Sequence, residues 1–365
     1  MINGELGPVQ ASSIVNLVPI GGIAPVFRSG DAYKAVGELV QRSIYTALSA
    51  AFPRNGSLAS VASTPLTTNV WQAGAYGAGV FVVVGNASGG GATTSGMYST
   101  DGGKTWLLMT MPSGVWTDVV YGGGKFVAIT SGTAAATSTD GINWTAQTLP
   151  SAAGWTSIAY GSGVYVAVAG LGTNAASSAD GVTWTPRTLP TSASWNDVTF
   201  GNGVFLAIAI GTNAAATSTN GTSWTARTMP AVGARRVAYG ANLFVAVGDS
   251  AFGCYSSPDG VTWTQRTVPP SAGATLYNVM FGDGVFVAQG SGAGYCAVSY
   301  DGMTWLIKSY VGTGTSGGFA AYGAGSFLIG ASNSGSAFAV VYAENLTDSD
   351  YLYLSGTAGQ FVRVK

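Results

Sequence analysis

One short phrase recurs six times along the chain, and it restricts the possible folds more than any other feature of the sequence. Its fullest copy is STDGGKTW at residues 99–106, and the later copies, such as STDGINW at 138–144, are one residue shorter. We call this phrase the turn motif. Its acidic or amide residue and its closing Trp are, in order, Asp101 and Trp106, Asp140 and Trp144, Asp180 and Trp184, Asn220 and Trp224, Asp259 and Trp263, and Asp301 and Trp305. Successive Trp residues of the motif are 38, 40, 40, 39 and 42 positions apart, so the chain is built from repeats of similar length.

A second marker, an aromatic residue followed by Gly, runs in step with the turn motif. It occurs seven times, at Tyr76, Tyr121, Tyr160, Phe200, Tyr239, Phe281 and Tyr322. A period near forty residues with a Gly-rich turn and a Trp in each unit is typical of one four-stranded antiparallel sheet per repeat, the blade of a β-propeller. The sequence therefore predicts an all-β fold, a seven-bladed β-propeller preceded by an N-terminal arm and an amphipathic helix.

The third repeat illustrates the expected strands, which are 155–160, 164–169, 174–179 and 183–190. The second of them, VYVAVA, is an unbroken apolar run that suits burial on both faces of a sheet. In the turn motif the Asp side chain can cap backbone N–H groups, Gly supplies a positive φ, and Trp can pack against the sheet. The motif residues are therefore predicted to stabilise a turn and not to catalyse a reaction.

Three regions are expected along the chain. Residues 1–56 form an arm and a helix for attachment or oligomerisation, because an apolar stretch broken by Pro and Gly precedes helical spacing of apolar residues. Residues 57–343 form the propeller, and residues 344–365 form a C-terminal tail. The seventh repeat lacks the turn motif, so we expect a strand from 58–65 to complete its blade and close the ring, with 350–355 as the alternative.

Composition excludes several classes of function. Charged residues make up 8% of the chain, and the net charge is −1, which gives no basic stripe for nucleic acid and no polybasic patch for a membrane. No apolar run is long enough to insert into a bilayer. The chain has no His, which excludes His-based triads and His metal ligands, and we expect neither a metal nor a cofactor. Cys254 and Cys296 hold the same register in neighbouring repeats and are expected to be buried free thiols.

The turn motif resembles the Asp-box, or BNR repeat, of sialidase-type β-propellers, with a full match at 99–106 and Asn220 in place of Asp in one copy. This resemblance covers about residues 66–342 and implies the propeller fold of those proteins. The final segment SGTAGQFVRVK, with the predicted N-terminal helix, resembles end segments of tailed-bacteriophage tail-fibre and virion proteins. That second resemblance implies a structural role in a phage particle.

The sialidase-type catalytic set is missing from the sequence. Sialidases of this family use an arginine triad, a Tyr with a Glu partner and an Asp, whereas Glu occurs here only at positions 5, 38 and 344, outside the repeats. Arg187, Arg227 and Arg266 occupy one outer-strand register in successive repeats, so their side chains cannot converge on one substrate carboxylate. The resemblance therefore implies the architecture without its chemistry.

Asp118 and Asp197 are the remaining carboxylate pair, three residues before the aromatic marker on innermost strands. A glycosidase needs two carboxylates about 5–10 Å apart. Ser157, Arg236 and Asn278 hold the same register, however, which favours a mixed polar ring around a central channel over an active site.

Candidate binding residues lie on the innermost strands and at their entry. They are Trp116, Asp118, Trp155, Trp195, Asp197, Arg235, Arg236, Tyr277 and Asn278. Trp beside Asp or Asn is common in sugar and peptide sites, although each Trp can instead pack between blades. Blade five replaces the Trp by Ala234 before Arg235 and Arg236, and blade six carries Tyr277 and Asn278. These departures from the consensus are where specificity is expected.

The preferred hypothesis is a non-enzymatic structural protein of a virion, a phage tail fibre, appendage or decoration, assembled in the host cytoplasm. Its expected partners are other virion proteins through residues 1–55, a host-surface glycan or protein, and a second copy of the chain in a homo-oligomer. The alternative is a carbohydrate-binding or glycoside-hydrolysing propeller of sialidase architecture. A third hypothesis is an intracellular protein-interaction scaffold.

Overall fold

The structure, a computed structural model, describes residues 60–63, 69–249, 253–269, 275–290, 295–309, 317–331, 338–342, 353–354 and 361–362. The predicted arm and amphipathic helix lie outside these residues, and so does most of the predicted tail. The chain divides into two compact units, residues 56–343 and residues 1–55 with 344–365. Within the described ranges, no helix has the length and apolar character needed to cross a membrane.

The described residues of the larger unit form seven four-stranded antiparallel sheets, which we number in chain order. Sheet one contains β2 (Val70–Gly77), β3 (Val80–Asn86), β4 (Thr93–Ser99) and β5 (Leu107–Gly114), and sheet two contains β6 (Trp116–Gly122), β7 (Lys125–Thr130), β8 (Ala134–Ser138) and β9 (Thr145–Thr148). Sheet three contains β10 (Trp155–Gly161), β11 (Val164–Ala169), β12 (Asn174–Ser178) and β13 (Thr185–Thr188), and sheet four contains β14 (Ser194–Gly201), β15 (Val204–Ile210), β16 (Ala214–Ser218) and β17 (Thr225–Thr228). Sheet five contains β18 (Ala234–Gly240), β19 (Leu243–Gly248), β20 (Cys254–Ser257) and β21 (Thr264–Arg266), and sheet six contains β22 (Leu276–Gly282), β23 (Val285–Gly290), β24 (Tyr295–Ser299) and β25 (Leu306–Ser309). Sheet seven contains β26 (Gly317–Gly323), β27 (Ser326–Ala331), β28 (Phe338–Tyr342) and the N-terminal strand β1 (Ser60–Ser63).

Local sequence explains the strands of each sheet. In sheet three, Ser162 and Gly163 join the first two strands with φ of 48° and 79°, as a two-residue hairpin of type I′ requires. The second strand, β11, is buried along all but its first residue. The outer strand β13 is mostly exposed and is shorter than the predicted 183–190. Burial therefore falls from the inner strands to the outer edge.

The innermost strands of neighbouring sheets contact one another through the aromatic marker. The Gly of each marker lies against the aromatic ring of the next sheet, so that a Cβ at Gly201 would lie only 1.9 Å from Cγ of Tyr239. The same contact joins every successive pair of sheets, and Gly323 of sheet seven meets Tyr76 of sheet one. The marker therefore requires Gly for close approach, and its seven contacts link the sheets in a cycle.

Sheet seven is completed from the other end of the described chain. Strand β1 pairs antiparallel with β28, with Ser60 opposite Val341 and Ser63 opposite Phe338. The prediction that 58–65 supplies this strand is confirmed. The alternative, residues 350–355, is wrong because Tyr353–Leu354 (β29) pairs with Phe361–Val362 (β30) in a separate two-stranded sheet.

Candidate functional site

A β-bulge near the start of each innermost strand determines which side chains face the centre. In sheets two to six the register shifts by one residue between the Trp position and the residue two places later, as between Trp195 and Asp197. In a regular strand two such residues would share one face, whereas a bulge redirects the side chain that follows it. Trp195 is consequently buried in the core with sheet three, while Asp197 lines a central cavity.

The central cavity has a volume of about 130 Å³ and is lined by six of the seven sheets. Its lining residues are Gln72, Ala73, Gly74, Asp118, Asp197, Arg236, Val237, Asn278, Val279, Phe319 and Ala320. Four of the sequence-predicted residues, the two aspartates with Arg236 and Asn278, thus meet at one site. Sequence reasoning missed Phe319, although it too lies three residues before the aromatic marker of its repeat. It also missed Gln72, although this residue lies four positions before the aromatic marker of its repeat, as Arg235 and Tyr277 do.

Asp118 joins sheet two to sheet three. Its Oδ1 accepts a hydrogen bond from the backbone N–H of Val119 at 2.8 Å, and its Oδ2 accepts one from the N–H of Ile158 at 2.9 Å. Desolvation in the central cavity, which we also call the channel, raises the pKa of Asp118 to about 6, although the guanidinium of Arg236 opposes the rise. Asp118 therefore takes up a proton at a higher pH than a solvated Asp does.

Asp197 joins three sheets. Ser157 Oγ donates to its Oδ1 at 3.1 Å, and the backbone N–H of Val237 donates to its Oδ2 at 2.7 Å. Arg236 Nη1 lies 3.6 Å from Oδ1, and it also donates to the carbonyl of Asn196 at 3.0 Å. Burial raises the pKa of Asp197, and Arg236 again opposes the rise. Both carboxylates are thus bound to the backbone of the following sheet.

Ser157 and Asn278 complete the polar register. Ser157 Oγ accepts a hydrogen bond from the N–H of Val198 at 3.3 Å, so it too reaches the next sheet. Asn278 Oδ1 instead accepts from the N–H of its own neighbour Val279 at 3.1 Å. The register therefore holds the sheets together at two carboxylates and one hydroxyl.

The three candidate Trp residues do not form an open binding face. Trp116, Trp155 and Trp195 are 0%, 1% and 0% exposed, and each packs in a core shared by two sheets. Trp155 Nε1 donates to the carbonyl of Ser151 at 2.8 Å. The expectation that these rings are presented to a ligand is corrected: the bulge turns each indole into the core, where the solvent cannot reach it.

Arg235 and Tyr277 meet across the boundary between sheets five and six. The guanidinium carbon of Arg235 lies 5.3 Å from the centre of the Tyr277 ring, which is a cation–π contact. In these two sheets Ala234 and Leu276 hold the position that Trp holds in sheets one to four. Sheets five and six therefore depart from the repeat in two ways. A smaller side chain replaces the buried indole, and a cation–π contact lies beside it.

The turn motif forms one hydrogen-bonded turn in each copy. In the shorter copies Oδ1 of the Asp or Asn accepts from the Ser two residues earlier and from two backbone N–H groups, which for Asp140 belong to Ile142 and Asn143, each at 2.8 Å. Gly141 has a φ of 73° and packs against Val82 of the preceding sheet. The backbone N–H of Asn143 is the main cause that holds the pKa of Asp140 well below its usual range.

The closing Trp residues of the motif pack onto the sheets. Trp106, Trp184 and Trp305 are buried, and Trp144, Trp224 and Trp263 are partly buried against the same cores. The equivalent aspartates Asp101, Asp180, Asp259 and Asp301 and the amide Asn220 make the corresponding bonds within their own turns. In every copy, the acidic or amide side chain of the motif is thus hydrogen-bonded to the backbone of its own turn.

The described residues include few side chains suited to metal binding or thiol chemistry. The described ranges contain no cluster of three or more His, Cys, Asp or Glu side chains that could hold a metal ion. Cys254 and Cys296 are buried free thiols, as expected, and burial raises the pKa of each to about 12. Such thiols are poor nucleophiles because the thiolate is scarce at neutral pH.

Comparison with known proteins defines the class of fold. No protein-family profile and no curated protein sequence matches the chain. A streptogramin B lyase structure aligns with a TM-score of 0.65 at 11% identity over 78% of this chain and 97% of the lyase. YCF48 from Cyanidioschyzon merolae aligns with a TM-score of 0.60 at 17% identity over 79% of this chain and 99% of YCF48. Virginiamycin B lyase from Staphylococcus aureus aligns with a TM-score of 0.64 at 10% identity over 78% of this chain and 99% of the lyase.

These structures are β-propellers, and at such low identity the likeness concerns the fold alone. The described part of the chain is therefore all-β and has the β-propeller fold.

Proposed function

We propose that the seven sheets are the blades of one closed propeller with Asp-box turns, and that this propeller is a non-enzymatic structural protein of a phage particle. Residues 1–55 attach it to other virion proteins, and the propeller is exposed as a tail-fibre appendage or decoration that binds a host-surface glycan or protein. The neutral, His-free, Gly-rich composition and the resemblance of the two ends to virion proteins support this assignment.

The proposal that the protein is not an enzyme rests on the hydrogen bonds of the two carboxylates in the channel. Asp118 and Asp197 each accept a backbone hydrogen bond from the following sheet, and Asp197 also lies beside Arg236. These bonds hold neighbouring sheets together, which is a structural role for both carboxylates. The cavity of about 130 Å³ is also smaller than the roughly 300–1,000 Å³ of pockets that bind small molecules.

The lyase structures do not suggest a shared activity. One aligned structure is a catalytically inactive variant of virginiamycin B lyase, in complex with quinupristin, in which a His is replaced by Ala. The present chain contains no His, so it has no counterpart of that side chain. The feature that these structures share with the chain is the β-propeller fold.

Attachment is tested with the full chain and a chain lacking residues 1–55. Each is expressed during assembly of the particle, and purified particles are analysed by mass spectrometry and by immunogold labelling. We expect the full chain to be incorporated and the truncated chain to remain a soluble monomer. Equal incorporation of both chains would contradict attachment through residues 1–55, and absence of both from particles would contradict the virion role.

Catalysis is tested on a panel of polysaccharides with the full chain, Asp118→Asn and Asp197→Asn. We expect no turnover by any of the three proteins. Turnover that the full chain shows and that both variants lose would instead establish the glycoside-hydrolysing alternative. Asp180→Asn is the matched control, because it makes the same change of Asp to Asn in a turn motif and Asp180 does not line the channel.

A further inference from the structure

A groove between sheets four and five has the size of a small-molecule site. Its volume is about 310 Å³, at the lower end of the roughly 300–1,000 Å³ that ligand pockets occupy. One wall is formed by the turn motif and outer strand of sheet four, including Asn220 and Arg227. The other wall is the turn motif of sheet five, including Asp259 and Val261. The groove is lined by turn motifs and an outer strand, whereas the channel is lined by innermost strands, and the two share no lining residue.

The wall from sheet four carries hydrogen-bond donors that the protein leaves unused. Arg227 Nε donates to Thr217 Oγ1 at 3.0 Å, while its two terminal nitrogens have no hydrogen bond or ion pair among the described residues. Asn220 uses its Oδ1 to accept from the N–H groups of Thr222 and Ser223 at 2.9 and 3.0 Å. Its Nδ2 makes no hydrogen bond within the same ranges. The groove thus offers a guanidinium and an amide donor to a ligand.

Asp259 on the opposite wall forms no ion pair with this guanidinium among the residues that the structure describes. Asp259 Oδ1 already accepts from Ser257 Oγ and from the N–H groups of Val261 and Thr262, at 2.7 to 2.9 Å. The N–H of Thr262 is the main cause that lowers the pKa of Asp259. The negative charge of Asp259 is therefore stabilised by its own turn.

The repeat shows that sheet four is the exception. Arg187 and Arg266 hold the register of Arg227 in sheets three and five, and each donates its Nε to a hydroxyl in the same way. Their own turn motifs carry Asp180 and Asp259, whereas the motif of sheet four carries the neutral Asn220. This one change removes a carboxylate from the groove and replaces it with a donor.

We propose that the groove binds the oxyanion of an acidic sugar, a carboxylate or sulfate on a hydroxyl-bearing ring. Arg227 binds the oxyanion through its terminal nitrogens, a geometry that a guanidinium forms well, and Asn220 Nδ2 donates beside it. Hydroxyl groups of Thr219, Ser223 and Thr225 line the groove and meet the sugar hydroxyls. The inference rests on the proposed binding of a host-surface glycan and names its chemical class.

Binding is measured by titration calorimetry of the full chain with three oligosaccharides of equal length, made of glucuronic acid, of glucose 6-sulfate and of glucose. We expect both acidic oligosaccharides to bind at least about tenfold more tightly than the neutral one, because a charge-assisted hydrogen bond is about twice as strong as a neutral one. Their affinity falls as salt rises, since the groove is open to solvent. A preference for one acidic oligosaccharide identifies the oxyanion.

Two variants and one control locate the site. Arg227→Gln is expected to weaken acidic binding about tenfold. It should fold, because Gln147 holds this register in sheet two and donates to Thr137 Oγ1 at 3.2 Å. Asn220→Asp is expected to weaken acidic binding about threefold to tenfold by placing a carboxylate beside Arg227. Arg266→Gln, which removes the equivalent Arg from sheet five, is expected to leave binding unchanged.

Equal affinity for all three oligosaccharides would overturn the proposal, and so would an equal loss in Arg227→Gln and Arg266→Gln. Absence of binding at millimolar concentrations would overturn it as well. None of these outcomes affects the proposed attachment through residues 1–55, which is measured separately on particles. Loss of both incorporation and binding would instead remove the proposed function itself.

Discussion

Sheet two contains aspartates in two contrasting settings. Asp118 lies on the innermost strand, where desolvation raises its pKa to about 6. Asp140 lies in the turn motif at the outer end, where the N–H of Asn143 is the main cause that lowers its pKa. Both side chains accept two backbone hydrogen bonds, so the difference comes from solvation: desolvation outweighs these bonds at Asp118 and does not do so at Asp140. The same residue type thus joins neighbouring sheets in one region and stabilises a local turn in the other.

The comparison predicts that the channel tolerates loss of a carboxylate far less than the turns do. Asp197→Ala should lower the free energy of unfolding by about 2–3 kcal/mol, because it removes the charged acceptor of the buried N–H of Val237 and the carboxylate beside Arg236, which keeps its hydrogen bond to the carbonyl of Asn196. Denaturation by urea, followed by Trp fluorescence, measures the loss. Ser157→Ala, which removes only a neutral partner of Asp197, is the matched control and should lose about 1 kcal/mol. A loss below 1 kcal/mol for Asp197→Ala would mean that the channel tolerates loss of a carboxylate as well as the turn motifs do.

The second prediction concerns pH. The pKa of Asp118 is raised in the folded protein from 3.8 to about 6, so the folded state binds more protons than the unfolded state between these values. Stability from this group is therefore highest below pH 4 and falls by about 3 kcal/mol in total as pH rises through 6, of which about 2 kcal/mol is lost between pH 4.5 and pH 7. Urea denaturation at pH 4.5 and pH 7 checks the fall, and Asp118→Asn should reduce it. Some fall should remain, because the pKa of Asp197 is raised too.

The turns respond to pH in the opposite direction. The N–H of Thr183 is the main cause that lowers the pKa of Asp180 to about 2, so its stabilising effect is complete above 3.8 and is lost as pH falls toward 2. Taken with the channel, this places the stability maximum near pH 4 to 5. A maximum at neutral pH would show that the channel carboxylates are better solvated than their burial implies.

The third prediction measures a single turn. Asp140→Ala should lower the free energy of unfolding by about 1 kcal/mol, because the N–H groups of Ile142 and Asn143 lose an acceptor but remain accessible to water. Urea denaturation at pH 7 measures it, and Asp140→Asn, which keeps the acceptor, is the control. A loss as large as that of Asp197→Ala would mean that the turn contributes to contacts between sheets as well as to its own geometry.

Residue spacing in the sequence predicted that the turn motifs and the channel carboxylates have different roles. The structure shows which contacts spacing could not predict. The repeat of the turn motif gave its role, and the distance of three residues to the aromatic marker placed Asp118 and Asp197 in one register. Spacing left two alternatives for the Trp residues two positions earlier, a binding face or packing between blades, because it shows no bulge; the structure has the second. The shift between Trp195 and Asp197 puts these side chains on different sides of the strand. The bonds from Asp197 to Ser157 and Val237 cross sheet boundaries, about forty residues away, and no local pattern reports them.

The smallest expected effect is a gain in stability at the exceptional turn. Asn220 Oδ1 accepts from the N–H groups of Thr222 and Ser223 as the aspartates do, but without a charge. Asn220→Asp should therefore raise the free energy of unfolding by about 0.5 kcal/mol at pH 7, since a carboxylate accepts these bonds more strongly. The gain should shrink as pH falls from about 4 toward 2, the range over which Asp180 loses its own stabilising effect. A gain at pH 7 together with weaker binding of acidic sugars would show that this turn has exchanged stability for a ligand contact, whereas a loss of stability would mean that the groove already carries excess negative charge.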